Sequence, residues 1–466
     1  MIRTAFAAAA FLFAVPAAAQ ALTAEQTAKV DQIVAQALAS TKVPSASIAI
    51  VRDGKIVYAK AYGNQGPGLP RATAEAKYPI ASVSKQFTAA AVLLLEDEGK
   101  LDLDDKVAKY FPDVSGADRI TIRQLLSHTA GLQDYWPQDY SFAAMEKPTT
   151  PQGIVDRWGK KPLDFEPGTA WQYSNTGYVV AGMIVEKVSR MSLMSYLEAK
   201  VFKPLGMRPV DQDKAIGKGF PQPTHRFALG PVRPAKPAAP GWLWAAGQLA
   251  MSASDLAKWD IARINRTVLT PDDWKEQETE VRLADGSPSR YGLGVSLGEH
   301  GGTPTVSHGG EAVGFLSENL VMPDKRYAVV ALVNADFGGA QGAITEGITD
   351  LLYPSAEAAA PSLDQTRDAL ARKLYDQLRA GTLDGSLLTR NAAYYFDATA
   401  TADYRASLSA LGEPQAFVPL GKPRLRGGFV NRNYGITYAG QRLVAITYAE
   451  PGAQGRFEQF IVMPRD

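Results

Sequence analysis

With 466 residues, 46% of them hydrophobic and 21% charged, the chain is core-forming and too long for one ordinary domain, so two folded domains are expected. Its 49 basic and 48 acidic side chains leave a net charge of +1, without the basic excess of a nucleic-acid binder or a polybasic membrane patch. The absence of cysteine excludes a disulfide framework, a thiolate metal site and Cys-linked lipid.

Taken in order, residues 1–20 read as a secretion signal. Arg3 supplies the positive start, residues 5–15 the apolar stretch, and the alanines after Pro16 a cleavage site after Ala19 or Ala21. The apolar run is too short to span a bilayer. A periplasmic or secreted protein without a stable membrane anchor is expected. Residues 23–39 then carry Val30, Ile33, Val34, Ala37 and Leu38 at helical spacing. Two β-branched runs, 46–51 and 56–61, flank Asp53-Gly54 and predict a hairpin. Tyr78-Pro79-Ile80-Ala81-Ser82-Val83-Ser84-Lys85 leads into the apolar run from Phe87 to Leu95, a helix that stops at Gly99.

Residues 106–111 and 120–126 also read as helical, followed by a turn at 127–132. The segment 136–168, rich in Pro, aromatic and polar residues, predicts irregular structure over a cleft. A helix is expected at 177–188, a long Pro- and Gly-rich loop at 217–241, and a helix at 255–264 capped by Ser252 or Ser254. Strand-like runs at 292–297, 305–308, 314–321 and 327–333 give the pattern of an antiparallel meander, closed by a helix at 343–352. Strands at both ends with helices between predict an α+β domain over residues 22–354: one antiparallel sheet backed by helices. An Ala/Pro-rich linker at 355–363 precedes a small C-terminal α+β domain, 363–466. Its helix is expected at 363–380 and its strands at 428–430, 435–438, 443–448 and 457–462.

The chemistry concentrates at Ser82 and Lys85. Three residues apart on a helix, their Cβ atoms lie about 5–6 Å from each other on one face. A serine hydroxyl is a poor nucleophile until a base takes its proton, and an amine is a base only when neutral, a form that burial favours. A helix start also offers backbone N–H groups to developing negative charge. An isolated S-x-x-K is more often a Ser cap followed by a solvated Lys; here Lys85 is surrounded by apolar residues instead. Two short motifs follow in order, Tyr173-Ser174-Asn175 and His308-Gly309-Gly310. Each pattern recurs elsewhere, at Tyr62-Gly63-Asn64 and His300-Gly301-Gly302, so neither is specific alone.

Together these motifs resemble the serine β-lactamase and penicillin-binding protein family. The match is to its class C β-lactamase, D-alanyl-D-alanine carboxypeptidase and esterase branch, and residues 120–132 are similar to a stretch of that branch. The resemblance covers about residues 23–352 and implies a β-lactamase/transpeptidase-like fold with a helical subdomain. It implies that Ser82 is acylated, that Lys85 and Tyr173 share the proton work, and that Asn175 bonds Lys85 or substrate. It further implies an oxyanion hole from the Ser82 and Glu311 amides, with Gly309 and Gly310 leaving room for substrate along a strand edge. Tyr173, with an ordinary pKa of about 10, needs neighbouring cations to act as a base. His128 reads as a structural loop residue and His308 as a polariser behind the site; a Ser82–His308–carboxylate triad is the alternative.

The third motif departs from the lactamase pattern: His308 stands for the usual Lys and Gly309 for the usual hydroxyl residue. That leaves little positive charge for a substrate carboxylate. Ester, amide or D-amino-acid peptide hydrolysis is therefore expected ahead of β-lactam hydrolysis. No metal site is expected, since none of the four histidines sits in H-E-x-x-H, and no organic cofactor. The expected partner is a small-molecule or peptide substrate, not nucleic acid. The rival class is a non-catalytic binding or sensor protein that uses the same cleft.

Overall fold

A computed structural model describes residues 21–66, 68–217, 219–354, 365–426, 429–452 and 454–465. The expected leader and linker lie outside the described residues. The main sheet is built from Ser45–Arg52 (β1), Lys55–Gly63 (β2), Ser296–His300 (β3), Thr303–Ala312 (β4), Phe315–Met322 (β5) and Tyr327–Val333 (β6). It is antiparallel throughout, in the order β2-β1-β6-β5-β4-β3, so the N-terminal hairpin joins the end of the later meander.

Helices cover both faces of the sheet, which is why β1 and β6 are nearly continuous apolar runs. Ile48, Ile50, Val329 and Ala331 point to one face and pack with Val30, Val34, Ile344 and Ile348. Those four come from α1 (Ala24–Thr41) and the closing helix Ala340–Leu352. Thr23 and Gln26 start α1 with a reciprocal capping box. Ala49, Val51, Val330 and Leu332 alternate to the other face, against the helical half of the molecule. That half includes α2 (Lys85–Asp97), α3 (Asn175–Ser189) and α4 (Ala253–Asn265), the last capped by Ser252. The molecule is thus α+β, as expected.

Three expectations are corrected. Residues 106–111 form only a short turn, Val107–Lys109, because Val107 and Ala108 donate their N–H groups across the loop to Ile120 and Ala117. The first strand of the meander starts at Ser296 rather than 292, since the N–H groups of Leu293 and Gly294 bond Gln277 and Leu126 instead. A strand at Leu249–Met251, unanticipated, pairs with both Tyr78–Pro79 and Val210–Asp211.

The C-terminal part consists of α5 (Gln365–Ala380), α6 (Arg390–Tyr395), α7 (Ala398–Ser409) and an antiparallel meander of Ala416–Arg426 (β7), Phe429–Thr437 (β8), Arg442–Ala449 (β9) and Phe457–Arg465 (β10). The sequence reading lacks α6, α7 and β7. Strand β7 carries Pro419, Gly421 and Pro423, which read as breakers; it lies at the sheet edge with an irregularity between Leu420 and Arg424, where proline is tolerated. The core of this part includes Leu374, Tyr404, Tyr434 and Phe460, and takes in Tyr140 and Ala228 from the preceding part of the chain. Among the described residues, no helix is long and apolar enough to cross a membrane.

Candidate active site

The segment before Ser82 is pinned by backbone pairing. Tyr78–Pro79 joins the Leu249–Met251 strand, and Ser84 Oγ accepts the Leu249 N–H at 3.1 Å. Residues Ala81–Ser84 form one tight 3-10 turn that continues into α2, so Ser82 sits just ahead of the α-helix. Ala81 has φ +45, a left-handed conformation costly for a residue with a side chain.

Lys85 is fully buried beneath Ser82. Its Nζ lies 2.9 Å from Ser82 Oγ, 2.8 Å from Asn175 Oδ1 and 2.8 Å from the Ala246 carbonyl oxygen. Burial pulls its pKa well below the usual lysine range, opposed by Asp134 and assisted by Arg426. A neutral amine has two N–H groups and one lone pair. The two carbonyl oxygens can only accept, so they take the N–H groups, and the lone pair is left for the one partner able to donate, the Ser82 hydroxyl.

Tyr173 immediately precedes the cap of α3, where Ser174 Oγ accepts the Gly177 N–H at 3.2 Å. Tyr173 lines the same cavity as Ser82, and its ring lies 4.8 Å from Lys85 Nζ. The expected lowering of its pKa is not found. Burial raises it above the ordinary tyrosine value, only partly offset by the Ser82 contact and Arg426, so the phenol keeps its proton at neutral pH. His128 packs on this ring at 4.1 Å between centroids and accepts the Ser174 N–H on Nδ1 at 3.1 Å. His128 is therefore structural in kind, but the structure it supports is the Tyr173 corner.

The third motif comes from β4. Strand β3 pairs with it only as far as Ser296 opposite Ser307, so among the described residues no strand pairs with 308–312 on that side. Gly309 and Gly310 do different work. A Cβ on Gly310 would fall 2.1 Å from the Ile80 carbonyl oxygen, whereas one on Gly309 would meet nothing closer than 4.0 Å. Gly310 lets the strand close on the Ser82 turn, fastened by Ser317 Oγ donating to the Ile80 oxygen at 2.7 Å. Gly309 leaves open space.

His308 is buried. Its Nδ1 faces the Gly309 carbonyl oxygen at 2.6 Å, which can only accept, so Nδ1 carries the proton and Nε2 accepts from the Tyr291 hydroxyl at 2.7 Å. Burial pushes its pKa down to about 3, helped by Lys85. Both ring nitrogens are committed, with no hydrogen bond to Ser82 or to a carboxylate, which argues against the Ser82–His308–carboxylate arrangement. Glu311 is pushed well above the usual carboxyl range by burial and by Asp139.

Ser82, Tyr173, Asn175, His308, Gly309, Gly310 and Glu311 line one cavity of about 340 Å³, with Lys85 beneath it. Two residues were not anticipated. Asp134 is buried and accepts both from the Asn175 backbone N–H (3.1 Å) and from its Nδ2 (3.0 Å). Arg426, from the C-terminal sheet, also lines the cavity and reaches Asp134 at 3.3 Å. No spacing in the sequence links either to the three motifs.

With fold and site in hand, comparison with known proteins defines the class. The family model described as Beta-lactamase matches residues 30–351, and the chain belongs to that family. Among individual relatives, it is 29% identical over 331 residues to a D-aminopeptidase of Brucella anthropi, covering 68% of this chain and 61% of that protein. It is 30% identical over 336 residues to protein flp of Staphylococcus aureus strain MW2, covering 67% of this chain and 64% of that one. The chain thus spans less than two thirds of the length of these relatives. A D-stereospecific amidohydrolase from Streptomyces sp. superposes with a TM-score of 0.61 at 28% identity, over 71% of this chain and 99% of that one. The octameric penicillin-binding protein homologue from Pyrococcus abyssi shares the fold over 94% of this chain and 99% of its own, with a TM-score of 0.63 at 22% identity.

Proposed function

We propose that the chain is an exported serine hydrolase that forms an acyl-enzyme on Ser82 and cleaves ester or amide bonds, D-amino-acid amides and peptides foremost. The observation that carries this reading is the placement of Lys85: buried, its pKa pulled well below the usual lysine range, with two carbonyl oxygens at 2.8 Å and Ser82 Oγ at 2.9 Å, so that the neutral form of the amine has its lone pair free for the Ser82 hydroxyl. Lys85 accepts the hydroxyl proton as Ser82 Oγ bonds the acyl carbon. Tyr173, still protonated, gives its proton to the departing nitrogen or oxygen and is reprotonated at the expense of Lys85. Water enters by the same route reversed. The amides of Ser82 and Glu311 hold the oxyanion, and the free edge at 308–312 receives the substrate backbone.

The substrate preference draws on the names of the D-aminopeptidase and D-stereospecific amidohydrolase relatives and on the third motif. A neutral His308 beside Gly309 offers no charge to a β-lactam carboxylate. The leader-like residues 1–20 support export to the periplasm or medium, with residues 22–354 carrying the hydrolytic centre and 363–466 forming a C-terminal module. The test is incubation with a fluorophosphonate followed by intact mass, then rates on p-nitrophenyl esters, D-Ala p-nitroanilide and a chromogenic cephalosporin. One adduct on Ser82 and slow cephalosporin turnover are expected. No adduct, or the cephalosporin fastest by a wide margin, rejects the reading.

A further inference from the structure

The C-terminal part does more than pack beside the cleft. At its end β7 meets the second motif: the backbones of Arg426 and Tyr173 form a parallel bridge. The Arg426 side chain then enters the site, only 22% exposed. Its Nε contacts Asp134 Oδ2 at 3.3 Å, one terminal nitrogen reaches Asp139 Oδ1 at 3.2 Å and Tyr448 Oη at 3.4 Å, and the other donates to the Trp136 carbonyl oxygen at 3.2 Å. Its Cζ lies 5.0 Å from the centre of the Tyr173 ring.

These contacts continue inward. Asp134, held by Arg426, accepts twice from Asn175, whose Oδ1 receives Lys85, which faces Ser82. The groups around Tyr173 are Lys85 on α2, His128 in its turn, Asp134, Tyr178 on α3, Tyr291, His308 on β4, and Arg426 and Tyr448 on the C-terminal sheet. Burial disfavours the charged form of Lys85, His128 and His308. Of the two cationic side chain types over the Tyr173 ring, Arg426 is therefore the one that keeps its charge.

We propose that the C-terminal sheet is a working part of the hydrolytic centre, and that Arg426 is its positioning residue, fixing Asp134 so that Asn175 holds Lys85 on Ser82 and laying a permanent positive charge over Tyr173. This rests on the hydrolase reading above. Arg426 supplies what the third motif lacks, a fixed cation, but spends it on the catalytic side chains rather than on a substrate carboxylate.

The test uses the full chain and p-nitrophenyl acetate, a substrate too small to need the cavity's far wall. R426Q should lower kcat about 10–100-fold, the scale seen when an outer partner that orients a working group is lost, with KM nearly unchanged. Because Arg426 opposes protonation of Lys85, its loss should also move the acid limb of the pH–rate profile to higher pH. R426K, which keeps charge but not the planar fork, should restore the limb and part of the rate. Should R426Q not fold, R426K alone decides: a several-fold lower kcat on an unmoved limb is expected, and a wild-type kcat overturns the inference. Wild-type kcat and acid limb in R426Q, or equal losses in both variants with no shift, also overturn it. A wild-type protein that gains no fluorophosphonate adduct sinks the hydrolase reading itself, whereas an adduct with an indifferent R426Q sinks this inference alone.

Discussion

Lys85 and Ser82 stand 2.9 Å apart, and the remaining hydrogen-bond partners of the lysine are oxygens that cannot give it a proton. Deprotonation of that amine should therefore set the lower pH limit of activity. The rate of Ser82 acylation should rise as Lys85 loses its proton, on a limb lying well below the ordinary lysine range. Lys85→Met, of similar length and unable to take a proton, should lose at least about 10²-fold in kcat/KM. Stopped-flow acylation between pH 4 and 9 measures both.

Tyr173 keeps its proton in the cavity it shares with Ser82, so removing only its hydroxyl tests its part in proton transfer. Tyr173→Phe preserves the stacking with His128 and should leave the fold intact. It should slow both acylation and deacylation by about 10²–10⁴, the usual range for a positioned acid–base group. Pre-steady-state burst kinetics with a p-nitrophenyl ester separate the two steps; loss of one step alone would restrict Tyr173 to that step.

His308 gives a pH-dependent stability with a definite sign. Its folded pKa, about 3, lies below its ordinary value of 6.5, so the unfolded chain binds the extra proton first. The fold keeps its full stability above about pH 6.5 and loses it as pH falls toward 3, with His308 accounting for about 2 kcal/mol by pH 5. His128 is shifted in the same direction. Urea unfolding at pH 7 and pH 5 should show the loss, and His308→Gln should remove the His308 share of it. An equal pH slope in the variant would contradict the assignment.

Gly309 and Gly310 should respond oppositely to the same substitution. Gly310→Ala drives a methyl group into the Ile80 carbonyl and should cost about 1–3 kcal/mol together with most activity. Gly309→Ala meets open space, so melting should be unchanged while KM for peptide substrates rises. Thermal melts and steady-state kinetics on the pair distinguish a packing glycine from a substrate-clearance glycine.

Much of this architecture is legible in residue order. The periodicity of α1, the Asp53-Gly54 hairpin and the turn-bounded apolar runs of β5 and β6 are local signals, and the fold obeys them. The Ser82–Lys85 pair is legible because both sit within one helical turn. What escapes is set by distant partners. The Leu249–Met251 strand is short and exists only through its neighbours. Asp134 matters because folding brings it to Asn175, 41 residues on, and Arg426 because an edge strand with two prolines carries it there. The protonation of Tyr173 depends on how deeply its ring is buried, which motif spacing does not report.

Tyr140 and Ala228 lie inside the C-terminal core, and Asp139 and Gln459 exchange two hydrogen bonds, at 2.6 and 2.7 Å. The division between the parts therefore runs through shared packing. Trimming the gene to residues 22–354 would strand these side chains in water and leave a carboxylate at position 134 without its guanidinium. Calorimetry of the intact protein should then give a single endotherm, and anyone seeking a minimal enzyme would have to redesign the severed surface before asking it to turn over.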